Sequence, residues 1–282
     1  MTRLLIVNAD DYGLTPAVSR GILRAHRQGI VTSTSVLTLA PGFREAGAWL
    51  AQTPTLGIGV HLAAVGEDPP LSSAAQIRSL VDPAGRLPAD WKRFLLRAVT
   101  GRIRSAELER EFAAQIERVV ALGVPVTHLD THQHLHLWPG VREAVIRLAR
   151  RFGIRAIRVP RSGARRIPGP GMTLLAARLR RRAAEEGLAF PDATAGFEES
   201  GRMGPARLAR VIDRLAGSGA RSAEIIVHPG EADDADRLRY AWGYRWGEEL
   251  DALLDGEARA HIARAGFHLG TFADLAPARE RP

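Results

Sequence analysis

The segment THLDTHQHLH, residues 127–136, has a titratable side chain at every second position. These side chains are His128, Asp130, His132, His134 and His136. Alternate residues of an extended strand share one face, so the five would form a row about 26 Å long at about 3.3 Å per residue. A metal ion with ligand bonds of about 2 Å cannot reach both ends of such a row. Other segments must therefore complete any metal site that part of this row forms.

Polar residues follow apolar runs at four places along the chain. They are Asp10-Asp11 after LLIVNA, His61 after GIGV, Asp130 and His132 after PVTHL, and His228 after EIIV. The C-terminal ends of parallel strands lie at one edge of an α/β fold, where the active site forms. We therefore expect these side chains to meet at that edge.

Each of these places also has an ordinary structural explanation. An Asp pair before Tyr-Gly can hydrogen-bond the backbone of a turn, and a histidine among apolar neighbours can be a hydrogen-bonded core residue. His228 before Pro229 can simply end a strand. All of these explanations would have to hold at once, so the sequence favours a functional site.

The repeating row contains residues with different expected roles. His128 lies within the predicted strand and is expected to point into the interior. The strand end falls at Asp130 to His132, which makes His132 the best candidate ligand and places Asp130 to orient it or a neighbouring group. His134 and His136 lie beyond the strand end.

Strands and helices alternate along the chain. The predicted strands are 3–9, 33–39, 57–62, 125–130, 155–159, 223–228 and 267–271, and the clearest predicted helices are 16–29, 105–123, 139–153, 172–187 and 204–217. This alternation is typical of an α/β fold, either a barrel or an open doubly wound sheet. No GxGxxG follows the first strand, which disfavours a dinucleotide-binding sheet. The irregular stretches 64–90 and 160–171 are candidate loops over the site.

Composition narrows the function further. The formal charge of +8 comes almost wholly from arginine, since Lys92 is the only lysine, and no nucleic-acid recognition motif accompanies the charge. We therefore expect no nucleic-acid partner. The chain has no cysteine, so a metal would need His, Asp or Glu ligands. The N-terminal apolar run is too short for a signal peptide or a membrane span, which predicts a soluble, cytoplasmic protein.

Four motifs together resemble those of a known family. NADDYG at 8–13, GVHL at 59–62, THLDTHQHLH at 127–136 and HPG at 228–230 are similar to the signatures of the YdjC-like carbohydrate deacetylases. This family includes chitooligosaccharide deacetylases and hopanoid-associated deacetylases. The resemblance extends from residue 6 to about 271, and Tyr12 stands where phenylalanine is usual. Residues 63–103 and 160–205 contain no recognisable motif.

The resemblance implies a TIM-barrel-like (β/α) fold, irregular and with about seven strands, in a single catalytic domain over 1–275 with a disordered tail at 276–282. It implies one divalent metal ion, Mg²⁺ or Zn²⁺, bound by Asp11, His61 and His132. It gives Asp10 the position of the general base and makes His228 a candidate general acid. Asp130 and His134 are assigned to supporting the ligands or contacting the substrate, and no other cofactor is implied.

The implied reaction is hydrolysis of the N-acetyl group of an amino sugar that belongs to a free oligosaccharide or to a lipid such as a glycosylated hopanoid. The arginine-rich stretches near 161–166 and 174–182 suit contact with the inner membrane surface, although a solvated face explains them too. A homodimer is left open. Two alternatives share the ligand set: a non-haem iron oxygenase, and a metal- or sugar-binding module without turnover.

Overall fold

A computed structural model describes residues 3–160 and 169–276 of the chain. Its eight strands in this part of the chain are β1 (Arg3–Tyr12), β2 (Ser33–Val36), β3 (Gly57–Leu62), β4 (Val126–Thr131), β5 (Ala156–Ile157), β6 (Ala193–Ala195), β7 (Ser222–Val227) and β8 (Phe267–Leu269). They form one sheet in the order β5-β4-β3-β2-β1-β7-β6, with β8 paired to the start of β1. Every pairing is parallel.

The sheet curls towards a barrel. The edge strand β5 forms an isolated parallel bridge, between Ala156 and Ala189, with the segment that precedes β6 at the other edge. Helices cover the outer face of the sheet, which confirms the predicted α/β barrel-like fold. The helices are α1 (Pro16–Gln28), α2 (Phe43–Ala46), α3 (Trp91–Val99), α4 (Ser105–Val120), α5 (Pro139–Arg151), α6 (Gly169–Glu185), α7 (Pro205–Gly217), α8 (Trp246–Leu254) and α9 (Gly256–Arg264).

Helix boundaries follow the capping residues. The Thr15 side chain accepts a hydrogen bond from the amide of Val18 and Pro16 opens α1, as the sequence predicts. β6 was not predicted from the sequence, because a strand of three residues is too short to show a periodic pattern. Residues 161–168 of the predicted loop 160–171 lie outside the described residues, and residues 169–171 belong to α6 rather than to a loop. The predicted tail 276–282 lies outside them apart from Ala276.

The inner face of the sheet has two layers. Near the N-terminal end of β1, Leu4 and Ile6 pack with Phe272 in a small apolar cluster. The next residues on the same face of β1 are Asn8 and Asp10, and both are buried. The opposite face of β1 packs against the main core under the helices. The apolar layer thus closes one end of the barrel and leaves polar side chains at the other.

Helices long and apolar enough to cross a bilayer do not occur in the described parts of the chain.

Candidate active site

The C-terminal ends of the strands bring the predicted site residues together. Asp10, Asp11, His61, His132 and His228 all line one cavity of about 460 Å³. Trp91, Phe197, Trp242 and Tyr244 are among the aromatic side chains of its wall. These residues lie at or directly after the C-terminal ends of β1, β3, β4 and β7, and they meet at one edge of the sheet as expected from the sequence.

A backbone irregularity lets both aspartates face this cavity. Successive residues of a regular strand point to opposite faces, so Asp10 and Asp11 could not otherwise share it. Asp11 has a φ of 68°, and the pairing of β1 with β2 shifts register between Ala9 and Tyr12. A non-glycine residue in this region of φ is strained and occurs mostly at functional sites.

Asp11, His61 and His132 form a compact triangle. The Oδ1 atom of Asp11 lies 3.5 Å from Nε2 of His61 and 3.6 Å from Nδ1 of His132. The two imidazole nitrogens are 3.4 Å apart. These three atoms are close enough to bind one ion together.

The donor set of this triangle fits a cation. His61 donates its Nδ1–H to Oδ1 of Asp130 over 2.7 Å, which turns Nε2 towards Asp11. The Oδ1 atom of Asp11 is buried and has no hydrogen-bond partner among the described residues. A buried carboxylate oxygen without a donor is costly unless a positive charge meets it.

The pKa values of Asp11 and His61 also show that the carboxylates here favour a nearby positive charge. Burial alone would lower the pKa of His61, but the surrounding carboxylates, Asp130 first, raise it to about 9. Burial would raise the pKa of Asp11, but the nearby imidazoles, that of His132 first, hold it at about 2. A proton on His61 or a divalent ion can each supply the charge that these carboxylates favour.

Asp10 is held by a fully buried arginine. The guanidinium of Arg158 contacts both oxygens of Asp10, at 2.7 and 2.8 Å, and Asn8 donates to Oδ1. The same guanidinium contacts Asp130 at 2.6 Å and Glu224 at 2.7 Å. Arg158 therefore fixes the orientation of Asp10 and, through Asp130, that of His61.

His228 is far from Asp10 in sequence but close to it in space. Its Nε2 atom is 4.0 Å from Oδ2 of Asp10, and its ring contacts that of Tyr244 at 4.8 Å between centroids. The carboxylate of Glu249 accepts hydrogen bonds from the backbone amides of His228 and Met203. Glu249 thereby fixes the turn that carries His228 after β7.

The other histidines of 127–136 differ in their surroundings. His128 is buried in the interior, stacked on Phe272 at 3.7 Å and 3.2 Å from Ser35 Oγ. His136 hydrogen-bonds Thr131 and the carbonyl of Arg158. His134 lines the cavity, and burial keeps its pKa well below the usual value. Neither His128 nor His136 lines the cavity.

The predicted loop 64–90 and the segment between β7 and α8 contact each other beside the site. Asp68, in the predicted loop 64–90, pairs with Arg239 at 2.8 Å and accepts a hydrogen bond from the Tyr240 hydroxyl. Glu67 accepts the indole N–H of Trp242, whose ring lies 5.1 Å from that of His132. Loop 64–90 therefore reaches the site through these contacts.

Sequence reasoning missed several residues of this site. Arg158 in RAIRV and Glu224 in AEIIV each have apolar neighbours on both sides, a signal that could have marked them as a buried pair. The aromatic run YAWGY, residues 240–244, could have indicated the wall formed by Trp242 and Tyr244. No local signal indicates Glu249, because its role depends on where α8 packs.

The fold and this cluster define a class of proteins: parallel α/β barrels with two histidines and one aspartate at the C-terminal edge of the sheet. The family described as YdjC-like protein matches residues 4–264. A carbohydrate deacetylase of Brevibacillus brevis is 29% identical over 96% of this chain and 99% of its own. A chitooligosaccharide deacetylase of Serratia marcescens is 32% identical over 98% of this chain and all of its own.

A solved structure from Enterococcus faecalis V583, which has the working name of a cellobiose-phosphate cleavage protein, is also similar. It superimposes with a TM-score of 0.79 at 27% identity and covers 96% of this chain and 98% of its own. The chain belongs to the YdjC-like family.

Proposed function

We propose that this chain is a metal-dependent hydrolase that removes the N-acetyl group from an N-acetyl amino sugar, carried on a free oligosaccharide or on a lipid such as a glycosylated hopanoid. Deacetylase relatives that match nearly its whole length support the reaction. The observation that carries the proposal is the pairing of Asp11 with a second, separately held carboxylate, Asp10, in one cavity. A binding module without turnover would not need that second carboxylate.

Asp11, His61 and His132 would hold the divalent ion. When bound, the ion would lower the pKa of a water molecule and polarise the acetyl carbonyl. Asp130 keeps His61 in the tautomer with a free Nε2 by accepting its Nδ1–H. The ligand roles therefore depend on a hydrogen bond that is already made in the protein.

Asp10 would accept the proton of the attacking water. Each carboxylate oxygen has two lone pairs, and Oδ2 of Asp10 accepts one hydrogen bond from Arg158. Its other lone pair lies near His228 in the cavity, where a water proton could be transferred. Because Arg158 holds both oxygens, Asp10 cannot rotate away to join the triangle.

His228 would donate a proton to the departing nitrogen. The new bond joins the water oxygen to the acetyl carbon, and the bond between that carbon and the sugar nitrogen breaks. The nitrogen leaves as an amine once His228 has protonated it, and acetate is the other product. His228 is buried and its ring contacts that of Tyr244, so it meets little solvent outside the cavity.

Acetate release from methyl N-acetylglucosaminide, measured with and without added divalent ion, tests the proposal. We expect Asp10→Asn to retain the metal and to lose kcat by about 10²–10⁴-fold, the usual effect of losing a general base. We expect His61→Ala to lose the metal, whereas His134→Ala, a control outside the triangle, should retain it. Metal content is measured by mass spectrometry.

Unchanged kcat in metal-loaded Asp10→Asn would refute the role of Asp10. Oxygen uptake with added Fe(II), without acetate release, would instead indicate the oxygenase alternative, whose ligand set is the same.

A further inference from the structure

A second cavity adjoins the candidate active site. It has a volume of about 570 Å³ and is lined in part by Trp91, Gln133, His134 and Phe197, which also line the first cavity. The two cavities therefore meet along a shared wall. A molecule whose reacting group lies beside Asp10 could extend directly into the second cavity, which we call the apolar cleft.

The apolar cleft differs from the active-site cavity in chemistry. Its remaining lining consists of apolar side chains from α3, from residues 135–138 and from α6, together with Gly171. These side chains are Leu95, Leu135, Leu137, Trp138, Met172 and Leu175. Leu95, Trp138, Met172 and Leu175 are partly buried and pack against the main core, so the cleft is a continuation of that core towards the surface.

The boundary between the cavities is a fixed structure. Gln133 and His134 have φ values of 51° and 54°, which non-glycine residues rarely adopt. The Oε1 atom of Gln133 accepts the backbone N–H of Trp91 over 2.7 Å and so ties the first residue of α3 to this turn. The strained turn therefore sets the position of Trp91 between the two cavities.

We propose that the apolar cleft binds the hydrocarbon aglycone of a glycoside whose N-acetyl amino sugar occupies the active-site cavity. This inference rests on the proposed function and names its substrate class. Among the described residues, the hydrogen-bonding side-chain groups that line the cleft are those of Gln133 and His134 and the indole N–H groups of two tryptophans, and Gln133 Oε1 already accepts a hydrogen bond. A second sugar ring there would leave hydroxyl groups without partners, which is costly, whereas a hydrocarbon gains free energy for each methylene buried.

The test compares three substrates of the metal-loaded enzyme: methyl and octyl N-acetyl-β-glucosaminide, the latter below its critical micelle concentration, and N,N′-diacetylchitobiose. We expect kcat/KM for the octyl glycoside to exceed that for the methyl glycoside by on the order of 100-fold, which requires only about half of the added methylenes to be buried. Equal values for the two glycosides, or a higher value for diacetylchitobiose than for the octyl glycoside, would overturn the proposal.

Two neighbouring leucines of α6 provide a matched pair of variants. Leu175 lines the cleft, while Leu174 is 54% exposed and does not line it. We expect Leu175→Ser to lower the octyl-to-methyl ratio by about tenfold and Leu174→Ser to leave it unchanged. Equal ratios in the two variants would contradict the assignment, and thermal melting of both shows that they are folded.

A binding measurement separates this inference from the proposed function. Titration calorimetry with the same two alkyl glycosides requires no turnover. If no acetate is released from any substrate, the deacetylase proposal fails, but a lower Kd for the octyl than for the methyl glycoside, weakened by Leu175→Ser, still supports the cleft. Equal Kd values, or no binding of the octyl glycoside, would overturn it.

Discussion

Replacing Arg158 with methionine tests how much its buried ion pairs contribute to stability. Met is similar in length to Arg but neutral, so the substitution removes the charge while filling most of the space. Arg158 is fully buried and contacts Asp10, Asp130 and Glu224 within 2.6–2.8 Å. The variant would leave these three carboxylates without their shared counter-charge.

The expected loss in free energy of unfolding follows from the burial of Arg158 and its partners. Removing one partner of a buried ion pair typically costs about 3–5 kcal/mol, because the remaining charge is left uncompensated. Protonation of Glu224, whose pKa burial already raises to about 7, limits the cost. We therefore expect about 4 kcal/mol, a large share of the roughly 5–15 kcal/mol that stabilises a typical domain. For a chain of this size that loss lowers Tm by roughly 10 °C.

The pH dependence of this stability loss distinguishes the effect of the lost charge from that of lost packing. Burial raises the pKa values of Asp130 and Glu224 and Arg158 lowers them, so removing Arg158 raises both folded-state pKa values. Groups of that kind stabilise the fold most at low pH and lose this contribution as pH rises through the folded pKa. Urea unfolding of the ion-free protein should therefore show a larger penalty for Arg158→Met at pH 8 than at pH 5.5.

Arg158→Lys is the matched control, since it keeps the charge but not the fork that holds both oxygens of Asp10. It should lose less stability than Arg158→Met while still losing kcat, because Asp10 is no longer oriented. An equal penalty for Arg158→Met at both pH values would refute the electrostatic reasoning and leave only lost packing. Adding Glu224→Gln to Arg158→Met should recover part of the loss, and failure to do so would also count against it.

Two further predictions concern single positions. The folded pKa of Glu224 is raised from 4.5 to about 7, so its contribution to stability is full below pH 4.5 and lost as pH rises through 7. Over that window the free energy of unfolding of the ion-free wild type, measured with urea, should fall by up to about 3 kcal/mol relative to that of Glu224→Gln. A difference that stays constant with pH would contradict this prediction. At Gly59, a Cβ atom would lie 2.3 Å from Nε2 of His128, so Gly59→Ala should cost about 1–3 kcal/mol, whereas Gly140→Ala, with nothing within 4 Å, should cost nothing in the same assay.

The sequence predicts the position of the site better than its interior. Asp11, His61 and His132 could be brought together in advance because parallel strands end at one edge, so three apolar runs with polar ends are enough. Arg158 could not be assigned in the same way. Its partners lie on β1, β4 and β7, and which face of a two-residue strand such as β5 points inward becomes clear only from the register of the sheet.

Surface charge was similarly hard to judge from sequence. The arginine-rich stretch 174–182 was expected to suit contact with a membrane surface, with a solvated face as the alternative. In the structure, Arg180 donates to the carbonyls of Pro191 and Asp192, and Arg182 pairs with Glu143 at 3.2 Å. Those pairings weaken the electrostatic argument for membrane contact. The argument for a lipid-linked substrate depends instead on the apolar cleft, whose lining comes from segments far apart in sequence.

The charge balance inside the barrel gives a reason for an ion that does not depend on any relative. Asp10, Asp11, Asp130 and Glu224 are all buried, and Arg158 is the buried guanidinium that they surround. Arg158 contacts every one of these carboxylates except Asp11. In the described parts of the chain, Asp11 and Glu224 each have a buried oxygen that lacks a hydrogen-bond donor, but Glu224 also contacts Arg158, whereas Asp11 does not. Since an uncompensated buried carboxylate is among the most costly groups in a protein, the position beside Asp11 is where the fold requires a positive charge, and two imidazole nitrogens already face it.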